Sequence, residues 1–227
     1  MATPIQIKIC GVTNVTDARA CSELGADLIG FNFYRKSPRY IVPAIGGKII
    51  NALPPQTCAV GVFVDADPAE VRKAAKIAGV RCVQLHGQIT PEACSELARE
   101  FRVIRALSTD TQFKPEQIEE FPNCDVLIDA YHPELRGGTG HICDWSAARR
   151  AMSYTRFLIL SGGLNAQNIG DAIGAVAPQG VDVCSGIESA PGVKDHRALE
   201  QFINAVRAAK RSLRRSSIHN PLRTMSS

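Results

Sequence analysis

Short apolar segments and amphipathic segments alternate eight times along this chain, and this alternation constrains the fold more than any other feature. The apolar segments predict strands, and the segments between them predict helices. Strands that alternate with helices form parallel βαβ units, and eight units predict a single (β/α)8 barrel, an α/β fold. The predicted strands span 5–10, 27–33, 58–64, 81–86, 102–107, 125–130, 156–161 and 181–185, and the predicted helices span 14–24, 44–53, 68–78, 91–100, 115–120, 144–152, 166–175 and 195–211.

An open, doubly wound sheet is the alternative that shares this alternation. It would need an early Gly-x-Gly-x-x-Gly turn, which the sequence lacks. Residues typical of helix N-termini precede four of the predicted helices, namely Asn14, Asp67, Thr90 and Asn165. We therefore expect one catalytic barrel domain over 1–211.

The net charge of +4 arises at the C-terminal end of the chain. Five of the 26 basic side chains follow Arg207 and no acidic one does, so residues 1–207 hold 21 basic and 22 acidic side chains. A nucleic-acid-binding protein carries its basic excess on the folded body, so we expect no nucleic-acid partner. We predict that 212–227 form a basic, disordered tail.

Composition argues against a membrane protein and a disulfide-stabilised one. No apolar run approaches the roughly 20 residues that span a bilayer, and we find no secretory signal, so we expect a cytoplasmic protein without a membrane partner. The eight cysteines contain no Cys-x-x-Cys pair and match no zinc spacing, so we expect no metal. Most of them are predicted to pack as small apolar side chains, with Cys10 as the exception.

Strand alternation places polar side chains inside the predicted barrel. The three isoleucines of the first strand should pack under the helices, and so should Val83 and Leu85 of the fourth. Barrel interiors are usually filled by branched apolar side chains, so inward polar residues indicate a site. Those residues are Gln6, Lys8 and Cys10 on the first strand, Gln84 and His86 on the fourth, and Arg105, Asp129 and Asp182 on the fifth, sixth and eighth.

Small residues follow the last two predicted strands. Gly162 and Gly163 come after the seventh strand, and Ser185 and Gly186 come after the eighth. Such residues let backbone N–H groups approach an anion, and these two loops commonly bind phosphate in (β/α)8 barrels. They predict a small, phosphorylated substrate, with tight turns alone as the alternative.

Seven segments, within about residues 5–205, resemble phosphoribosylanthranilate isomerases in order and spacing. They are Lys8–Gly11, Gly30–Phe33 with Ser37–Arg39, Val83–Gly87, Leu127–Ala130, Gly137–Gly140 with Asp144–Trp145, Ser161–Asn165, and Ser185–Glu188 with Pro191–Asp195. The resemblance implies the Amadori rearrangement of N-(5-phosphoribosyl)anthranilate to 1-(2-carboxyphenylamino)-1-deoxyribulose 5-phosphate, a step of tryptophan biosynthesis. It implies no cofactor.

The resemblance also implies a general base at Cys10 and a general acid at Asp129. For these roles the pKa of Asp129 must lie above its ordinary value and that of Cys10 below it. We expect the positive charge of Lys8 to lower the pKa of Cys10. The resemblance further implies that Arg39 binds the anthranilate carboxylate, and a guanidinium suits a carboxylate bidentately, although Arg35 and Lys36 lie nearby.

Some expectations stay open. Gln84 and His86 line the predicted pocket without a chemical step, and Lys8 is expected to pair with Asp182. Residues 132–143 are predicted to form a mobile lid. Cys184 replaces a small polar residue usual in the family and is expected to alter a phosphate contact.

Three other functions remain as alternatives to the isomerase. They are a Schiff-base aldolase using Lys8, an isomerase of histidine synthesis and a phosphate-ester binding protein. The sequence leaves the choice between monomer and homodimer open.

Overall fold

The fold is a closed barrel of parallel strands, as predicted. The computed structural model describes residues 5–110, 112–130 and 144–219, without the side chains of 130 and 213–219. Each barrel strand pairs with the next, and the eighth pairs with the first. The strands are β1 (Gln6–Ile9), β2 (Leu28–Asn32), β3 (Cys58–Val64), β4 (Cys82–His86), β5 (Arg102–Thr109), β6 (Asp125–Ala130), β7 (Leu158–Leu160) and β8 (Gly180–Val183), followed by an antiparallel pair, β9 (Glu188–Ala190) and β10 (Val193–Lys194), that was not predicted.

Helices follow the strands on the outside of the barrel. The α-helices of the described ranges are α1 (Val15–Leu24), α2 (Pro43–Ile50), α3 (Pro68–Ala78), α4 (Pro91–Leu97), α5 (Trp145–Ala151), α6 (Ile169–Val176) and α7 (His196–His219). Short 3-10 segments span Pro115–Glu120, Met152–Tyr154 and Ser185–Ile187. The helix predicted over 115–120 is therefore a 3-10 turn.

The last helix is longer than predicted. α7 ends at His219, so the segment predicted as a disordered tail begins inside a helix. The reason is local, since no proline or glycine interrupts the sequence between His196 and Pro221. The division into a domain over 1–211 and a tail over 212–227 stays a prediction, and residues 220–227 lie outside the described ranges.

Capping side chains fix where helices begin after the strands. Asn14, Asp67 and Thr90 each accept a hydrogen bond from the backbone N–H three residues further on, at 2.8, 2.8 and 3.2 Å. Asn165 instead accepts from two N–H groups of a turn, and α6 begins only at Ile169. Three of the four predicted caps are confirmed.

Two apolar clusters lie on either side of the barrel wall. The isoleucines of β1, with Val83 and Leu85 of β4, belong to the large cluster between strands and helices, which confirms their predicted outward direction. A smaller cluster fills the barrel interior and leaves the carboxyl ends of the strands to polar residues. It contains Leu28, Val60, Cys82, Ile104, Ala106, Leu127 and Ile159.

Arg105 faces outward, so its predicted inward placement was wrong. Its neighbours Ile104 and Ala106 belong to the interior cluster, which turns Arg105 to the helix side of β5. Its guanidinium donates to the carbonyl oxygens of Leu85 and Ala106 at 3.0 and 2.8 Å. It also lies 5.1 Å from the centre of the Phe121 ring. These contacts connect β4 with β5 instead of serving a site.

Within the described ranges, no helix combines the length and apolar character needed to cross a membrane.

Candidate active site

A cavity opens at the carboxyl ends of the barrel strands, where parallel barrels carry their sites. The structure brings all nine residues predicted for the site into its lining. They are Cys10, Arg39, Gln84, His86, Asp129, Gly162, Gly163, Ser185 and Gly186.

A buried ion pair lies beneath this cavity, inside the barrel. Lys8 Nζ donates to Asp182 Oδ1 at 2.9 Å, and the two residues are register partners on β1 and β8. Burial opposes the charge on Lys8, but the attraction of Asp182 and Cys10 outweighs it, so the pKa of Lys8 is raised. The predicted ion pair is confirmed, and Lys8 is a fixed positive charge.

Cys10 directly follows β1 and is buried against neighbouring charged groups. A hydrogen bond from the Cys184 thiol, helped by the positive charges of Lys8 and Lys194 and opposed by burial, lowers the pKa of Cys10 to about 7. This direction is the one a general base requires. The sequence indicated the contribution of Lys8 but missed that of Cys184.

Cys184 lies between Cys10 and the carboxylate of Glu188. Its Sγ is 3.8 Å from Glu188 Oε1. The hydrogen bond to Cys10 and burial raise the pKa of Cys184 well above its ordinary value. Cys10 is therefore the thiol that ionises first, with Cys184 as its hydrogen-bond donor.

Arg39 is held by a carboxylate that the sequence reasoning left without a role. Its Nε lies 3.0 Å from both carboxylate oxygens of Glu188, and its Nη2 lies 2.6 Å from Oε2. Lys194 Nζ donates to Glu188 Oε1 at 2.8 Å and to the Cys10 carbonyl oxygen at 2.6 Å. Glu188 and Lys194 stand in the last matched segment, so the motif contained the signal although it did not show the contact.

The loop between β2 and α2 positions Arg39. The Ser37 hydroxyl accepts hydrogen bonds from the Arg39 backbone N–H and from the Asn32 side chain, each at 3.1 Å. Arg39 is buried and lines the cavity, whereas Arg35 and Lys36 are exposed, although Lys36 also reaches the lining. Of these three cationic side chains, Arg39 is the one that is both buried and part of the cavity lining.

Glycine is required at position 11, beside the side chains of Arg39 and Cys184. Gly11 has a φ of +75°, and a Cβ there would lie 2.6 Å from Arg39 Cδ and 3.0 Å from Cys184 Sγ. Any other residue at position 11 would push these side chains apart.

The opposite wall of the cavity comes from β4 and β6. Asp129 is buried near the end of β6, and the Thr109 hydroxyl donates to its backbone carbonyl at 3.2 Å. Gln84 Nε2 lies 2.5 Å from His86 Nε2. Gln84 is almost completely buried, and its Oε1 has no hydrogen-bond partner among the described residues.

The two glycine-containing loops after β7 and β8 touch each other. Gly162 and Gly163 have φ values of +89° and +63°, which favour glycine. A Cβ at Gly186 would overlap the carbonyl oxygen of Leu164, so only glycine allows this approach. The loops therefore form one continuous backbone surface beside the cavity.

Two sequence predictions find no test here. The predicted lid over 132–143 lies outside the described residues. Within the described ranges, no group of three or more His, Cys, Asp or Glu side chains is arranged to hold a metal ion.

The family model for N-(5'-phosphoribosyl)anthranilate isomerase matches residues 7–205. The chain belongs to this isomerase family. The N-(5'-phosphoribosyl)anthranilate isomerase of Trichlorobacter lovleyi is 42% identical over 205 residues, covering 90% of this chain and 99% of the relative.

Solved structures of this isomerase family share the fold. The phosphoribosyl anthranilate isomerase of Thermotoga maritima superimposes with a TM-score of 0.83 at 39% identity, covering 90% of this chain and 99% of that one. A phosphoribosyl anthranilate isomerase in complex with reduced 1-(o-carboxyphenylamino)-1-deoxyribulose 5-phosphate gives a TM-score of 0.81 at 37% identity, with the same coverage.

Proposed function

We propose that this cavity converts N-(5'-phosphoribosyl)anthranilate to 1-(2-carboxyphenylamino)-1-deoxyribulose 5-phosphate, with Cys10 as general base and Asp129 as general acid. Membership of the isomerase family supports the activity, which belongs to tryptophan biosynthesis. The observation that carries the two roles is that a thiol with a lowered pKa and a buried carboxyl group line one cavity from β1 and β6.

The reaction needs one proton delivered and one removed. Asp129 protonates the ribose ring oxygen as its bond to C1′ breaks, which leaves an imine between C1′ and the anthranilate nitrogen. The Cys10 thiolate then removes the proton from C2′, and the electrons of that C–H bond move toward the imine. The resulting enol tautomerises to the ketone. Each acid–base role is worth about 10²–10⁴ in rate.

Charge in the site favours an anionic substrate beside Arg39. Arg39 and Lys194 together carry two positive charges, and Glu188 offsets one of them. The remaining positive charge complements the anthranilate carboxylate, and Glu188 holds the guanidinium in one orientation before the substrate arrives.

We place the phosphate beside the paired loops after β7 and β8, because Gly162, Gly163, Ser185 and Gly186 line the cavity there and small residues let backbone N–H groups approach an anion. Gln84 lines the same cavity and is expected to help shape it around the sugar. His86 stays a lining residue without a chemical step. A cytoplasmic location and a monomeric or homodimeric state remain predictions.

The aldolase alternative is poorly supported by the position of Lys8. A Schiff base needs a neutral, accessible amine. Lys8 is fully buried, is paired with Asp182, and does not reach the described cavity lining.

A fluorescence assay for loss of phosphoribosylanthranilate tests the two roles. Cys10→Ala and Asp129→Asn should each lower kcat by at least about 10². Cys58→Ala, at the amino end of β3, and Asp171→Asn, on the exposed side of α6, are matched controls expected to keep wild-type kcat. Equal turnover by wild type and Asp129→Asn would exclude the mechanism, and so would full activity of Cys10→Ala.

A further inference from the structure

Cys10 and Cys184 directly follow two adjacent strands, β1 and β8. Lys8 pairs in register with Asp182, and their side chains meet inside the barrel. Cys10 and Cys184 each lie two residues further along, so their side chains return to the same face. The Cys10 N–H donates to the carbonyl oxygen of Val183, the last residue of β8, at 2.9 Å, which continues the parallel ladder one residue beyond the end of β1.

The two thiols shift each other's pKa through a side-chain hydrogen bond, and both lie beside the cavity. The Cys184 thiol hydrogen-bonds the Cys10 sulfur, and both residues line the described cavity. Adjacent strands lie about 4.8 Å apart, within the Cα separation of about 4.4–6.8 Å that disulfides require. The strand spacing is therefore compatible with a bond between the two sulfurs.

We propose that Cys10 and Cys184 form a reversible oxidation site at which a hydroperoxide converts the two thiols into a disulfide. The proposed isomerisation has no step for a thiol at position 184, so this chemistry goes beyond it. The oxidation proposal rests on the proposed function only in the part of the test that measures isomerase activity.

The oxidation balances in two steps. The Cys10 thiolate attacks one peroxide oxygen, the O–O bond breaks, and the leaving oxygen takes up a proton, which leaves a sulfenic acid on Cys10. The Cys184 sulfur then attacks the sulfenic sulfur, the S–O bond breaks, and the departing hydroxide leaves as water with the Cys184 proton. With hydrogen peroxide, two thiols lose two electrons and the peroxide becomes two waters.

Two other contacting thiol pairs in the described ranges differ in access. Cys58 contacts Cys82, and Cys94 contacts Cys124. Cys82 and Cys94 are almost completely buried, their partners Cys58 and Cys124 are half-buried, and neither pair reaches the described cavity lining. The Cys10–Cys184 pair is thus the one that a small oxidant meets through the substrate entrance.

Peptide mapping after hydrogen peroxide treatment tests the proposal without using turnover. After free thiols are blocked with N-ethylmaleimide, trypsin releases peptides 9–19 and 157–194, each with one cysteine. Wild type should yield these two peptides cross-linked. Activity should fall in proportion to the cross-linked fraction, and dithiothreitol should restore both.

Two variants distinguish oxidation at Cys10 and Cys184 from oxidation of other residues. The activity of each variant after peroxide treatment is compared with the activity of the same variant before treatment. Cys184→Ser should give no cross-link. In excess peroxide the sulfenic acid on its Cys10 should take one oxygen from a second peroxide molecule, which leaves as water, to form a sulfinic acid, so dithiothreitol should not restore activity. Cys58→Ser should respond as wild type does.

Two results would overturn the proposal. One is peptide 9–19 remaining unlinked in oxidised wild type, which requires no variant to fold. The other is full recovery of Cys184→Ser by dithiothreitol. Cross-linking that leaves activity intact would support the oxidation site while contradicting the assigned role of Cys10, so the two hypotheses fail separately.

Discussion

Replacing Glu188 with glutamine tests whether the cluster around Arg39 contributes to stability. The Glu188 carboxylate accepts from Arg39 at 2.6 and 3.0 Å, from Lys194 at 2.8 Å, and from the Gly192 N–H at 3.2 Å. Glutamine keeps the shape but removes the charge, so two buried cations lose their carboxylate partner.

The expected cost follows from how little water reaches the cluster. Side-chain exposure is 3% for Glu188, 0% for Lys194 and 11% for Arg39, so solvent screens these pairs weakly. Breaking a buried ion pair costs about 3–5 kcal/mol. Because the glutamine oxygen still accepts one hydrogen bond, we expect a loss of about 3 kcal/mol, at the lower end of that range. This corresponds to a decrease in Tm of roughly 6–12 °C.

The loss should depend on pH in a defined direction. Burial opposes the charge on Glu188, but the hydrogen bonds and charges of Arg39 and Lys194 outweigh it and hold its pKa below the ordinary value. The stabilisation is therefore fully present above the unfolded pKa of about 4.3 and is lost as pH falls through the folded pKa. The difference in free energy of unfolding between wild type and Glu188→Gln should therefore become smaller in acid.

Urea unfolding followed by circular dichroism, at pH 7 and at several values below about 4.5, measures the difference. Glu96→Gln is the matched control, because Glu96 pairs with Arg72 at the surface and Arg72 keeps Glu100. This control should unfold like wild type. The reasoning would be refuted if Glu188→Gln lowered the free energy of unfolding by less than about 1 kcal/mol at pH 7. It would also be refuted if the decrease were the same in acid as at pH 7.

Three further substitutions have defined outcomes. Cys184→Ala removes the hydrogen bond that lowers the pKa of Cys10, so the rising limb of the pH profile of kcat/KM should move to higher pH; an unmoved limb would contradict this. Asp182→Asn leaves the buried charge of Lys8 unpaired and should cost about 3–5 kcal/mol in urea unfolding. Gly186→Ala should separate the two loops and raise KM by at least about tenfold, or ~1.4 kcal/mol; an unchanged KM would argue against a phosphate site there.

Much of the site could be predicted because it follows from local patterns. Alternation along β1 placed Lys8 and Cys10 inside the barrel, and alternation along β4 did the same for Gln84. Barrel closure then collects the strand ends into one cavity, so side chains from distant segments meet without any further information.

The prediction for β5 failed for a physical reason. Both faces of this strand are buried, so apolar residues do not alternate cleanly with polar ones. Arg105 is polar but lies on the outer face, where three backbone carbonyls bind its guanidinium. Only the neighbouring strands show which face is inside.

The length of α7 and the hairpin of β9 and β10 were also missed. The end of α7 was placed from charge and composition, although the segment contains no helix breaker before Pro221. The hairpin strands are only two and three residues long, too short for a periodic pattern to show.

Local spacing in the chain was enough to predict the order of strands and helices, the closed barrel, and most of the polar residues around its mouth. The pairing of Arg39 with Glu188, 149 positions away, and the contact of Cys10 with Cys184 were decided by the folded structure alone. Such contacts depend on how β8 aligns with β1 when the barrel closes. That alignment brings together residues from the two ends of the barrel sequence, and no periodicity within either segment encodes it.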